Sequence, residues 1–365
     1  MSPKRICTGI LRVVMPSMEA HGPDAAAAPA AQPRAPRVEP MSQHPDEHAR
    51  PSSAAPQSSP TQRSSAQEVP AKDPARRTQD LIDMLQLADG GGARTHEDIF
   101  VGRTLSAMRR AVYGGQVLAQ SVIAAGRTVE EPSRRIHSMH AYFLRAGDID
   151  EPITFGVERM RDGRSFSTRR VHAYQSGSTI FSGICSFQEP AEGLEHQDRM
   201  PQGMPDPESL PTAETLLEGV PLSAARSVIE RPFDIRYITQ PIYLAPDEDR
   251  QPFNAVWVRT HSRLPDDPQL HQAALAYVSD YVMLEPALRR HGKVWTQKGM
   301  SVASLDHAMW WHRPARADEW LLYVQSSPSA SGARALGEGR MFDRDGNLVA
   351  TTMQEGMMRL PEFAD

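Results

Sequence analysis

Cysteine is nearly missing from this chain: 365 residues hold two, Cys7 and Cys185. They are too few and too far apart for a metal-ligand cluster or a disulfide framework, so neither a metal nor a cofactor is expected from them. A reducing cytosol suits such a chain, and a cytoplasmic location is the expectation. Aromatic residues are absent from the whole first quarter, the first being Phe100. Long apolar runs are absent too. None approaches the ~20 residues that cross a bilayer, so no membrane partner is expected. The apolar patch at residues 6–14 is interrupted by Arg12 and matches a secretory leader poorly. Neither sign of charge dominates. A net charge of -5 offers no electrostatic reason for nucleic acid as a partner.

What is present falls into blocks. Residues 23–74 are mostly Pro, Ala, Ser and Gln. Such a stretch buries too little apolar surface to offset chain entropy, so residues 1–78 are expected to be a disordered extension. Order is expected from Asp80. Leu81, Ile82, Met84, Leu85 and Leu87 suggest a short amphipathic helix capped by Thr78 and ended by Gly90, Gly91 and Gly92.

Residues 112–126 are small and apolar on nearly every face, the signature of a buried helix. Strands follow at 137–145, 153–160, 167–174 and 179–188, with Ser176-Gly177 as a hairpin. A polar linker is expected over 191–225. The pattern then restarts, with strands at 233–238 and 253–260. A second Ala-rich helix at 270–284 is ended by Pro286. More strands lie at 301–312, 320–325, 339–342 and 348–359, with Asp345-Gly346 as a hairpin. The parts recur in order: Tyr174 falls 168 positions before Phe342, and His140 falls 167 before His307. Two α+β units are expected, each a sheet wrapped around one buried helix.

Six segments carry a family resemblance. They are VYGGQVLAQS (112–121), HSMHAYFLRAGD (137–148), VERMRDGRSFSTRRV (157–171), LAYVSDYVML (275–284), ASLDHAMWWHRP (303–314) and TTMQEGMMR (351–359). Together they resemble the bacterial acyl-CoA thioesterase II family, the double-hotdog thioesterases, over residues 81–360. The resemblance implies an α+β double hotdog whose two antiparallel sheets join into one long sheet. The first hotdog would span 79–190. The second, 226–365, would carry the catalytic residues. By residue-to-residue match these are Asp280, Ser304 and Gln354. Several relatives carry Thr where Ser304 stands. The resemblance also implies an acyl-CoA substrate and a homo-oligomer, commonly a tetramer.

The residues themselves bear on that chemistry. Asp280 interrupts an apolar run, and a buried carboxylate must be hydrogen-bonded or functional. Gln354 shares a period-2 face with Leu348, Ala350 and Thr352, an unusual place for an amide. Asp280 is expected to deprotonate a water that Ser304 and Gln354 position, with a backbone N–H near a helix N-terminus holding the oxyanion. Desolvation would raise the pKa of Asp280, and hydrogen-bond donors would lower it.

Other features are set against this reading. Gly299-Met300-Ser301-Val302-Ala303 approaches a nucleophile elbow but ends in Ala and lacks the strand–elbow–helix context, so a covalent acyl-serine is not expected. His307 and His312 would point to opposite faces of a strand, which disfavours a shared metal. Trp310 and Trp311 suit sheet packing or an acyl tunnel. Arg161, Arg164, Arg169 and Arg170 suit either coenzyme A phosphates or a solvated strand face. A hotdog hydratase would want a histidine close after Asp280, and none comes before His291. A non-catalytic acyl-CoA-binding protein is the remaining alternative.

Overall fold

A computed structural model describes residues 73–90, 96–105, 111–218, 228–243 and 245–363. The proposed extension, apart from residues 73–78, lies outside the described residues, as do Gly91 and Gly92. The elements in order are α1 (Pro74–Leu85), β1 (Ala88–Asp89), β2 (Glu97–Gly102), α2 (Gly114–Gly126), β3 (Arg135–Phe143), β4 (Ile153–Asp162), β5 (Phe166–Gln175) and β6 (Ser178–Gln188). Then come α3 (Ala213–Leu216), β7 (Phe233–Tyr237), β8 (Phe253–Thr260), α4 (Pro268–Ser279), α5 (Glu285–Arg290) and β9 (Ser301–Ser304). The chain closes with β10 (Asp306–Trp311), β11 (Leu321–Ser331), β12 (Arg334–Phe342) and β13 (Leu348–Arg359). Among the described residues no helix is long and apolar enough to cross a membrane.

All the strands join one antiparallel sheet in the order β1-β2-β4-β5-β6-β3-β10-β13-β12-β11-β8-β7, with β9 on β13. The middle of that order is a seam, β3 against β10, where Met139 faces Met309 and Ala141 faces His307. Each half of the sheet curls over one buried helix, α2 or α4, as expected of a double hotdog. The two helices pack against each other. Gly115 lies so near α4 that a Cβ there would fall 2.2 Å from the Tyr277 carbonyl.

The repeat survives in the irregularities. The β5–β6 ladder slips between Ala173 and Tyr174, and the β12–β13 ladder slips between Met341 and Phe342. Tyr174 then pairs with Thr179, and Phe342 with Leu348. Counting along both ladders from those ends places Cys185 at the position of Gln354 and Met139 at that of His307. The pairing of Met139 with Cys185 matches the register that sets His307 beside Gln354. The offset of 167 between His140 and His307 is therefore not structural. His140 is on the outer face, edge-on to Trp310 at 5.1 Å, whereas His307 is buried. A one-residue slip on a strand exchanges faces.

Three other expectations are corrected. The first helix begins at Pro74, with Asp73 before it, because Pro is preorganised for the first turn. Thr78 lies inside that helix, where its hydroxyl accepts from the Ser262 amide. Pro286 starts helix α5 instead of ending α4. What ends α4 is a turn in which Val282 has φ +50°, a strained value for a β-branched side chain. Finally, the strand expected at 301–312 is two, β9 and β10. Ser304 pairs with Gly356 and Ala308 with Met353, so Leu305 is an extra residue, a bulge. The first half bulges at the matching place, between Ile136 and Ser138.

The expected linker packs on the second half. Met200, Met204 and Leu210 cover Trp257 and Trp320, and the Trp257 indole donates to the Pro205 carbonyl.

Candidate active site

Asp280 is the C-terminal residue of the α4 turn, and its backbone is still helical. The turn after it is seated by glycines on the sheet. A Cβ on Gly337 would lie 2.2 Å from the Met283 carbonyl, and one on Gly356 would lie 2.2 Å from Leu284. This seating sets the height of Asp280 above the strands.

The Asp280 carboxylate reaches across to the first half. Its Oδ2 accepts the Gly115 amide N–H at 3.0 Å, at the start of α2. A helix N-terminus carries partial positive charge and suits a carboxylate. The approach leaves no room for a side chain: a Cβ on Gly114 would stand 2.9 Å from Oδ2. The other oxygen, Oδ1, accepts the Ser304 hydroxyl at 3.3 Å.

Ser304 is the last residue of β9, immediately before the bulge that turns it toward α4. Its Oγ accepts from Gln354 Nε2 at 2.8 Å. Gln354 comes from β13 and is only 2% exposed. The structure thus brings together Asp280, Ser304 and Gln354, which lie 24 and 50 residues apart. Asp280 and Ser304 are partly exposed, so this edge of the cluster meets solvent.

Behind them stands His307, which the sequence suits to the core or to a supporting role and not to a shared metal. His307 Nδ1 is 2.6 Å from Gln354 Oε1, and its Nε2 is 2.9 Å from Ser279 Oγ. Burial is the main influence on its pKa and lowers it, outweighing the nearby charges of Asp280 and Asp306. Burial thus favours the neutral ring. No spacing in the sequence ties residue 307 to 354; only the strand register does.

Tyr113 flanks the carboxylate. It donates to the Tyr277 carbonyl at 3.0 Å, and its own pKa is raised by burial and by the charge of Asp280. It therefore stays protonated near neutral pH.

The remaining sequence candidates lie elsewhere. Ser301 opens β9 and sits on no elbow between strand and helix. His307 is buried while His312 is exposed, and no group of metal-binding side chains occurs among the described residues. The four arginines do not form one cluster. Arg169 is fully buried and bound to Thr128 and Asp162, Arg170 pairs with Glu158, and Arg161 and Arg164 are exposed. Burial pushes the Cys185 thiol up to about 12, so it is inert. Trp311 is buried, with its indole on the Gln272 carbonyl.

Comparison with known proteins adds a second line of observation. Residues 243–357 match the family model described as acyl-CoA thioesterase, and residues 103–188 match the acyl-CoA thioesterase N-terminal domain. The chain is 40% identical over 292 residues to "Acyl-CoA thioesterase 2" of Haemophilus influenzae, covering 77% of this chain and 98% of that one. It is 39% identical over 277 residues to "Acyl-coenzyme A thioesterase 8" of Homo sapiens, covering 72% and 85%. Among solved structures it is similar to an acyl-CoA thioesterase II from Mycobacterium marinum. That match has 42% identity and a TM-score of 0.63, and covers 78% of this chain and 99% of the other.

Proposed function

Because the chain belongs to the acyl-CoA thioesterase family and is an acyl-CoA thioesterase, we propose that it cleaves the thioester at the Asp280–Ser304–Gln354 cluster by direct attack of water. The observation that carries this reading is the Asp280 carboxylate, held between a hydroxyl and a helix N-terminus at the solvent-facing edge of a buried polar chain.

In the proposed step Asp280 takes a proton from water as the oxygen bonds to the thioester carbon. The tetrahedral oxyanion collapses, the C–S bond breaks, and Asp280 returns the proton to the departing sulfur. The base needs no nucleophilic side chain. Ser304 and Gln354 are not bases at neutral pH, and their part is to hold water and carboxylate in line. Gln354 Nε2 carries two N–H groups, one of which is given to Ser304. A backbone N–H at the start of α2 other than that of Gly115, which is given to Asp280, is the candidate oxyanion donor.

The test is thiol release from a panel of saturated acyl-CoAs, comparing the intact chain with Asp280→Asn. Loss of a general base predicts a fall in kcat of about 10²–10⁴-fold with the fold retained. Equal rates would move the site elsewhere. An acyl mass on Ser304 in quenched turnover samples would overturn the direct route.

Two further readings belong here. The protein is proposed to be cytoplasmic, in keeping with the buried, inert Cys185. It is also proposed to be a homo-oligomer, a tetramer by likeness to its family. Tyr142, Ile184 and Met353, on β3, β6 and β13, leave an apolar patch exposed on the sheet close to the seam. Sedimentation velocity should then give a multiple of the chain mass, and a monomer at micromolar concentration would refute it.

A further inference from the structure

We infer that His307 is a positioning residue that sets which way the Ser304 hydroxyl donates, by holding the Gln354 carboxamide one way round. The inference rests on the reading of the Asp280–Ser304–Gln354 cluster as the site. His307 is 1% exposed and shielded behind Gln354, so it acts only through that side chain.

Gln354 Oε1 is an acceptor only, so the imidazole nitrogen 2.6 Å from it must carry the proton. In a neutral ring that leaves Nε2 as an acceptor, facing Ser279 Oγ at 2.9 Å. Ser279 donates to the Ala276 carbonyl at 2.9 Å, so its single hydroxyl hydrogen is shared between that oxygen and Nε2. With Oε1 engaged by the ring, the amide nitrogen of Gln354 faces Ser304 and donates to its oxygen. Ser304 has a single hydrogen, and the acceptor left for it is Asp280 Oδ1. Every donation therefore runs one way: Ser279 to His307, His307 to Gln354, Gln354 to Ser304, Ser304 to Asp280. Gly115 closes the far side of the carboxylate.

The other tautomer reverses the row. An unprotonated Nδ1 calls for the amide nitrogen of Gln354. The amide oxygen then turns to Ser304 and takes its hydrogen, and Asp280 loses that donor. Chained hydrogen bonds of this kind reinforce one another in a dry interior, so the direction is shared by all members. The groups that face the ring are Ser279 at the end of α4, Gln354 on β13 and the nearby carboxylates of Asp280 and Asp306. The two carboxylates act on the ring through their charge.

Asparagine can place an N–H near the position of imidazole Nδ1, and leucine cannot. His307→Leu is expected to lower kcat on the order of tenfold or more while KM stays within about twofold, because the loss falls on transition-state geometry and not on binding. His307→Asn should recover kcat to within about threefold of the parent, since the donor to Gln354 is restored. In ¹⁵N-histidine spectra the parent should show the Nδ1–H pattern for His307. Equal losses in the Leu and Asn variants would reduce the ring to packing, and an unchanged kcat in His307→Leu would overturn the inference. Should His307→Leu fail to fold, Ser279→Ala keeps the ring and removes its partner at Nε2. A mixed tautomer with a lower kcat is then expected, and an unchanged spectrum and rate would overturn the inference. Asp280→Asn is measured alongside. If it stays active, the site itself is wrong. If it is inactive while His307→Leu is not, only the role of His307 is.

Discussion

In the first half, β3 and β6 bring Met139 against Cys185; in the second, β10 and β13 bring His307 against Gln354 at the same points of the ladder. Ile136 stands where the second half has Ser304, and Phe187 where it has Gly356. Arg169 stands where it has Gly337, since these residues face Cys185 and Gln354. One backbone, down to its bulges, thus carries Ile136, Met139 and Cys185 in one copy and a polar row at the same points in the other. The contrast marks what the proposed site needs beyond its scaffold. Buried polar groups are tolerated only as a complete set, because each unpaired member costs about 1–3 kcal/mol. The first half has none of the row, and the second has all of it.

The seats differ in the same sense. After α2, the space over the sheet is taken by the Arg169 guanidinium, which binds Thr128 and Asp162. After α4, the corresponding space is left open by glycine, and the turn that follows Asp280 drops into it.

The comparison can be broken most severely by moving the polar pair across. Met139→His with Cys185→Gln should cost roughly 3 kcal/mol or more of stability, read by denaturant melting, from overpacking and unpaired polar atoms. The transplanted pair would meet Ile136 in place of a serine. Placed in the Asp280→Asn background, it should restore no thiol release; restored activity would mean that the scaffold alone suffices. A smaller step sharpens the contrast between the seats. Gly337→Ala adds one methyl where the Met283 carbonyl stands and should cost about 1–3 kcal/mol while lowering kcat as Asp280 shifts. Thiol release and thermal melting on the same preparation check both, and unchanged values for each would show that the turn is not seated by that glycine.

Much of this was legible beforehand, for reasons tied to local chemistry. The buried helices announce themselves by small apolar residues on every face. Asp280 stands out as a carboxylate inside such a run, and Gln354 as an amide on a buried period-2 face. Ser304 is legible only through family resemblance, because a serine on a strand looks ordinary. What stayed hidden depends on register and close approach. His307 meets Gln354 across 47 residues of sequence. The break after Ser279 rests on a left-handed Val282, which no helix propensity signals. The extra residue at Leu305 shows only when two ladders are counted against each other.

The hydrogen bond from Gly115 to Asp280 has one more consequence. It is made by a main-chain amide, a group that almost every residue type carries, so no side-chain identity spells it out. What the chain must specify there is emptiness, two positions stripped of atoms so that a carboxylate from the other copy can come near. Part of the instruction for the proposed site is thus written as something withheld, and a substitution can erase it by addition alone.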